Sequence, residues 1–266
     1  MDLSIIILNY NTKDFLLPCI KGITEYTHNL DYEIIVVDNA SSDKSAEYVK
    51  QKLLPRFDNL KLIELDENKG FSAGNNLGIK QAKGKYILII NSDIVIWDNA
   101  FKKMVDFMEA NPKAGLAGPR LLSPDGSLQH FCYRFPTPEV LMYRRMPLAR
   151  FKFAKRAINK YIMMDWNHKD NRMVDWLQGS CIIARKSAIH KVGLMDERYF
   201  LFLEDTDWCR RFWKIGYEVW YIADIKIIHY HNRVSDWGKF YKTLFNKMAW
   251  IHLFSAFKYF RKWGIR

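Results

Sequence analysis

At 266 residues, 49% hydrophobic and 15% aromatic, the chain can bury the core of one large domain, and its formal charge of +12 implies an anionic partner. Charge alone does not choose among nucleic acid, a nucleotide, a diphosphate lipid and an anionic membrane. No apolar run approaches the ~18 residues of a membrane-spanning helix, the start has no signal-like basic and apolar stretches, and the four cysteines form no C-x-x-C pair, which predicts a cytosolic chain with reduced thiols and at most peripheral membrane contact.

Residues 3–8 (LSIIIL) and 33–37 (EIIVV) have the composition of buried strands. Between them, Phe15, Leu16, Ile20 and Ile23 fall at helical spacing over residues 14–27. The polar loop 38–43 follows, where Ser42 or Asp43 would cap a helix over 44–54. A third strand is expected at 60–65, a helix at 75–82 and a fourth strand at 86–90 (YILII). Strands alternating with helices at this spacing predict an α/β fold, a Rossmann-like, mainly parallel sheet flanked by helices. A helix at 100–110, a strand at 114–118 and a turn at Ser123-Pro124-Asp125-Gly126 come next.

Residues 141–164 mix Arg144, Lys152, Lys155 and Arg156 with Phe151, Phe153 and Tyr161, which reads as a poor core and a mobile or surface-binding loop. A strand at 174–184, helices at 186–192 and 206–215, and a strand at 218–222 complete the domain, taken as residues 1–235 with halves 1–120 and 121–235. Residues 236–266 form a basic, aromatic tail in which Phe240, Leu244, Met248 and Ile251 have helical spacing. Such an amphipathic helix can lie on anionic lipid, pack on the domain or join a second copy as a homo-oligomer, and the three readings stay open.

Candidate chemistry sits at strand ends, where open α/β sheets bind ligands. Strand 86–90 runs into Asn91-Ser92-Asp93, and a carboxylate there suits a hard cation that holds phosphate oxygens, although the same residues also make an ordinary turn. Asp38 at the second strand end could accept from a base imide or a ribose hydroxyl. Asn68 to Gly74 brings glycines and backbone donors up to a helix, a place where chain can approach a phosphate. Further on, Glu204 and Asp205 stand where an apolar run meets a helix, whose N-terminus would keep a carboxylate ionised and able to take a proton. Asp205 would equally serve as an N-cap, and His229 and His231, alternating on a strand, face opposite ways.

The set SIIILNYN (4–11), VVDNASSD (36–43), NKGFSAGNNLGI (68–79), ILIINSD (87–93), WLQGSC through FLEDTDWCRR (176–211) and IIHYH (227–231) resembles, in order, the inverting GT-A glycosyltransferases of family 2, within them the bacterial rhamnosyltransferase-like branch. The resemblance implies that Asn9 and Tyr10 line the base pocket and Asp38 holds the base. Asn68, Gly70 and Ser92 would lie near the donor. Asp93 would bind Mg2+ or Mn2+ together with the diphosphate, water and one of the two late histidines, His229 ahead of His231, because Asn91 replaces the first acid of the family's D-x-D. Asp205 would be the catalytic base, and Trp176, Gly179 and Glu204 would border the acceptor. The implied function is metal-dependent inverting transfer of a sugar, rhamnose from dTDP-rhamnose as the leading case, to a lipid-linked or cell-surface glycan at the inner face of the membrane. A nucleotide-sugar-binding protein without catalysis is the alternative. Nucleic acid is not expected as a partner, because no recognition motif is present and acidic strand ends repel phosphate.

Overall fold

The computed structural model describes residues 1–144, 147–230 and 247–264. The chain opens with β1 (Leu3–Asn9), α1 (Lys13–Tyr26), β2 (Tyr32–Asp38) and α2 (Ser45–Tyr48), which continues as a π-helix over Val49–Leu53. β3 (Leu60–Glu64), α3 (Gly70–Gln81), β4 (Tyr86–Asn91), β5 (Ile94–Val95), α4 (Ala100–Ala110) and β6 (Ala114–Leu122) follow. Next come β7 (Cys132–Tyr133), α5 (Pro138–Tyr143), α6 (Lys152–Tyr161), β8 (Arg172–Met173), β9 (Trp176–Leu177) and β10 (Cys181–Arg185). The last elements are α7 (Lys186–Val192), α8 (Glu204–Lys214), β11 (Glu218–His229) and α9 (Lys247–Trp263).

One sheet has the order β3-β2-β1-β4-β10-β6-β11-β5, with β8 paired to β11, and β7 with β9 makes a second small sheet. β3, β2, β1 and β4 are mutually parallel, β10 runs against both β4 and β6, and β11 is parallel to β6. The expected α/β architecture with a mainly parallel sheet is therefore present. A parallel strand covered on both faces reads as a continuous apolar run. In β1, Leu3, Ile5, Ile6 and Ile7 have no exposed surface, each such side chain contributing roughly 1.5–3 kcal/mol on burial. Ser4 interrupts the run without an unmet hydrogen bond: its hydroxyl donates to Glu33 Oε1 at 2.7 Å and accepts from the Gly84 N–H at 2.8 Å.

Several expected boundaries move. The helix placed at 75–82 begins at Gly70, so most of the presumed phosphate-approach loop is helix. The strand placed at 174–184 is two, β9 and β10, in different sheets. The strand placed at 218–222 runs to His229 through a register shift between Ile222 and Lys226. Residues 141–164 are not an unstructured loop: α5 and α6 occupy most of them, with Ala154 and Tyr161 buried. Of the tail, α9 is helical as expected; residues 231–246, which include His231, Phe240 and Leu244, lie outside the described residues. The four cysteines are free and buried, and burial pushes the Cys132 thiol up to about 12.

Candidate active site

Asn9 pairs with Asp38 and Leu8 with Asn91, so the carboxyl ends of β1, β2 and β4 form one edge. Asn9 Nδ2 donates to Asp38 Oδ1 at 2.7 Å, and the other Asp38 oxygen accepts the Ser41 N–H at 3.0 Å. Thr12 Oγ1 donates to Asn9 Oδ1 at 2.6 Å and lies 2.8 Å from Ser92 Oγ. Three strand ends are thereby tied into one polar network, in which Asn9, Asp38 and Ser92 are buried while Tyr10 is exposed at the rim. Thr12 and Ser41 were not singled out from the sequence. Thr12 has the appearance of a helix N-cap, yet it makes no cap bond and turns its hydroxyl to Asn9 instead.

Asn68 ties this edge to α3. Its Oδ1 accepts from Gly70 N–H and from Asn39 Nδ2, both at 2.9 Å. Gly70 has φ +82°, and a Cβ there would collide with the Phe200 carbonyl. That carbonyl accepts the Phe71 N–H at 2.8 Å, which joins the start of α3 to the loop before α8. Gly70→Ala is expected to destabilise the fold by about 1–3 kcal/mol, because the left-handed backbone and the close approach both oppose a side chain. Urea unfolding checks this; an unchanged midpoint would mean that the contact gives way freely.

β11 returns to the same edge: Tyr230 N–H donates to the Asp93 carbonyl at 3.0 Å and His229 pairs with Ile94. His229 Nε2 stands 3.2 Å from Asp93 Oδ1, with Asn91 Nδ2 at a longer 3.4 Å. Gln129 sets the ring. Its Nε2 donates to the His229 carbonyl at 2.8 Å, leaving Oε1, 2.9 Å from His229 Nδ1, to accept that nitrogen's proton. Nε2 then carries the lone pair and faces Asp93 Oδ1, a buried oxygen with no hydrogen-bond donor among the described residues. Two facing acceptors suit a shared cation, and a partner that fixes the imidazole tautomer is a usual support of a metal-binding histidine. The pair fits Mg2+ or Mn2+. Among the described residues no cluster of three or more His, Cys, Asp or Glu side chains could hold a metal alone, so phosphate oxygens and water would complete the shell.

Glu204 and Asp205 form the first turn of α8, after Phe202 and Leu203 at φ 71° and 67°. Two successive left-handed, non-glycine residues cost on the order of 1–3 kcal/mol each, and here they aim the two acids inward. Asp205 Oδ2 accepts the Gly179 N–H at 3.0 Å and Oδ1 accepts the Thr206 N–H at 2.7 Å. Asp205 is therefore inside the helix and is not its N-cap. Burial pushes its carboxyl up to about 6 against those hydrogen bonds. Burial, and then the neighbouring Asp205, push Glu204 well above the carboxylate range, and its Oε2 has no donor among the described residues. Desolvation outweighs the helix N-terminus, which by itself would favour the charged form. Burial thus favours the protonated form of both acids, and at Asp205 the two backbone hydrogen bonds work against it.

Gly179 and Ser180 join the two acidic sites. Ser180 O accepts the Asn91 N–H at 3.0 Å, while Gly179 N–H points at Asp205. A Cβ on Gly179 would stand 2.8 Å from the Phe71 ring. Trp176 is nearly buried, stacked on Tyr133 with ring centroids 4.5 Å apart, and its Nε1 donates to Arg134 O at 2.9 Å. It is part of a wall with Tyr133 and Tyr161, whose phenols are pushed up foremost by burial and further by the Asp205 charge.

A mainly parallel sheet flanked by helices, with β10 inserted antiparallel between β4 and β6, is a GT-A fold. The mannosyltransferase of Pyrobaculum calidifontis, solved with GDP-Man and Mn2+, superposes with a TM-score of 0.62 over 88% of this chain and 58% of its own, at 16% identity. Glycosyl transferase family 2 matches residues 4–168, and the chain belongs to that family. The N-acetylglucosaminyl-diphospho-decaprenol L-rhamnosyltransferase of Mycobacterium tuberculosis is 26% identical over 209 residues, 74% of this chain, and this chain spans 66% of its length. Rhamnosyltransferase WbbL of Escherichia coli is 24% identical over 264 residues, 96% of this chain and 91% of that protein.

Proposed function

We propose that this protein transfers a hexose from a nucleoside-diphosphate sugar to an acceptor hydroxyl with inversion, the donor being dTDP-rhamnose and the acceptor a lipid-linked or cell-surface glycan. The observation that carries the reading is the placement of the Asp93–His229 pair and the buried Asp205 around one strand edge, joined through Gly179 and Ser180. Similarity to two rhamnosyltransferases supports the choice of sugar.

In this mechanism Asn9 and Tyr10 border the base, and Asp38 accepts from the thymine imide N–H. Asp93 and His229 would hold Mg2+ or Mn2+, which when bound supplies positive charge to the departing diphosphate. Asp205, ionised at neutral pH and oriented by Gly179 and Thr206, takes the proton of the acceptor hydroxyl. That oxygen bonds to the anomeric carbon from the face opposite the leaving diphosphate, which inverts the centre. Glu204, beside Asp205 in the same turn, borders the acceptor and hydrogen-bonds it. The reaction is placed at the inner face of the cell membrane; among the described residues no helix is long and apolar enough to cross one.

The test is a thermal-shift series with dTDP-rhamnose, with and without Mn2+. Donor at about 100 times its Kd stabilises the fold by about 2.7 kcal/mol, and Asp93→Ala should lose the Mn2+-dependent part of that gain. A Mn2+-dependent shift of wild-type size in the variant would remove Asp93 from the site. Sugar transfer, followed as dTDP release on adding acceptor, separates an enzyme from a nucleotide-sugar-binding protein.

A further inference from the structure

α9 has one face committed to the domain. Ser255 Oγ donates to Leu201 O at 2.9 Å, Arg210 Nη1 donates to the Tyr259 hydroxyl at 3.0 Å, and Lys262 and Trp263 both bond Asp207. These positions recur at helical spacing, so the opposite face must point outward. It carries Leu253, Phe254 and Phe257, exposed by 54%, 58% and 65%. A second patch of the same kind lies on α6 and the residue before it, where Phe151 and Phe153 are exposed by 56% and 57% and stack on each other. Lys152, Lys155, Arg156 and Lys160 are exposed around them, as Lys247 and Arg261 are beside the α9 stripe.

α5 touches both helices, and its Tyr143 meets Phe153 of α6 edge-on with ring centroids 5.5 Å apart. Leu141 of α5 and Tyr259 of α9 share a buried cluster with Tyr199 and Leu203, the last of which immediately precedes Glu204. Tyr161, at the end of α6, belongs to the aromatic wall that feels the Asp205 charge.

We infer that α6 and α9 form one platform that seats the protein on an anionic lipid bilayer, with the aromatic side chains in the headgroup boundary and the basic residues against the anionic headgroups. Charge selects this occupant. Neither residues 144–160 nor residues 247–263 contain an Asp or Glu, so a second copy docked on the same face would set positive charge against positive charge. Aromatic and basic side chains on an anchored amphipathic helix, by contrast, match an anionic interface. The surface stands without assuming the reaction; its use in meeting a lipid-linked acceptor rests on the function proposed above.

The experiment is co-sedimentation of the full chain with vesicles of phosphatidylglycerol and phosphatidylcholine, or of phosphatidylcholine alone. Wild type is expected to partition onto the anionic vesicles and to release as salt is raised. Phe254→Glu/Phe257→Glu and Phe151→Glu/Phe153→Glu should each weaken partition by about tenfold or more, with thermal midpoints and transfer to a water-soluble acceptor unchanged. Wild-type partition in both variants, equal binding to uncharged vesicles, or no binding by wild type would overturn the platform. So would a wild-type dimer in sedimentation velocity that the same variants dissociate. Because vesicle binding needs neither donor nor turnover, failure of the proposed chemistry would leave this result readable.

Discussion

Asp205→Asn is expected to lower kcat by about 10^2- to 10^4-fold, the usual contribution of a positioned general base, while the thermal shift produced by dTDP-rhamnose and Mn2+ stays near wild type. Asparagine keeps the shape and the bond from Thr206 N–H but cannot take a proton. The pH dependence is a sharper check than the loss itself. With the Asp205 carboxyl at about 6, kcat/KM should fall tenfold per pH unit below that value and level off above it. A rate that stays flat down to the ordinary carboxylate range would separate Asp205 from the proton transfer.

The same shift carries a stability consequence with a definite sign. The folded-state value is raised above the ordinary aspartate value of 3.8, so the fold favours the protonated form. Its stabilising contribution is full below about pH 4 and is lost as pH rises through about 6. Asparagine does not titrate. The thermal midpoint of Asp205→Asn relative to wild type should therefore climb between about pH 4 and about pH 7, whatever offset the amide introduces against Gly179 N–H. A relative midpoint that falls with pH would show that the charged carboxylate is favoured where it sits.

Much of this arrangement is legible in the sequence, for identifiable physical reasons. β1, β2 and β4 stand out because strands covered on both faces need continuous apolar runs. The polar residues that end them, Asn9, Asp38 and Asn91 to Asp93, stand out by contrast. The start of α3 does not, since Gly70 to Gly74 is rich in residues of low helix propensity. Its first turn is held instead by distant groups, Asn39 on one side and the Phe200 carbonyl on the other. α6 is hidden in a similar way, because only Ala154 and Tyr161 of its ten residues are buried and its remaining face is charged. Gln129 carries no local signal: it lies in the chain after a turn, 100 residues before the His229 ring that it orients. Strength of ionisation at Glu204 and Asp205 is likewise illegible, because it depends on burial by elements far away in sequence.

Asp207 shows the same principle in the tail. In sequence it is an acid in the first turn of a helix, a position favoured by the dipole alone. In the fold it is completely buried and receives Arg211 Nε at 2.9 Å, Lys262 Nζ at 2.8 Å and Trp263 Nε1 at 2.7 Å. Arg210 of the same helix also lies 4.9 Å from the Trp263 ring centroid. α9 is thus fastened to α8 two residues beyond Asp205, and the fastening fixes the turn that presents Asp205. Asp207→Ala is expected to destabilise the fold by about 3 kcal/mol, at the low end for breaking a buried ion pair, because Arg211 and Lys262 keep 17% and 26% of their side-chain surface in water. Urea unfolding gives the magnitude, and trypsin cleavage after Lys262, slow in wild type, should accelerate in the variant. The kinetic signature should separate positioning from donor binding: kcat falls as α8 loosens, while KM for the donor, whose proposed site is at the ends of β1, β2 and β4, stays within about twofold. A loss of donor affinity with kcat intact would place the influence of α9 on the other half of the site.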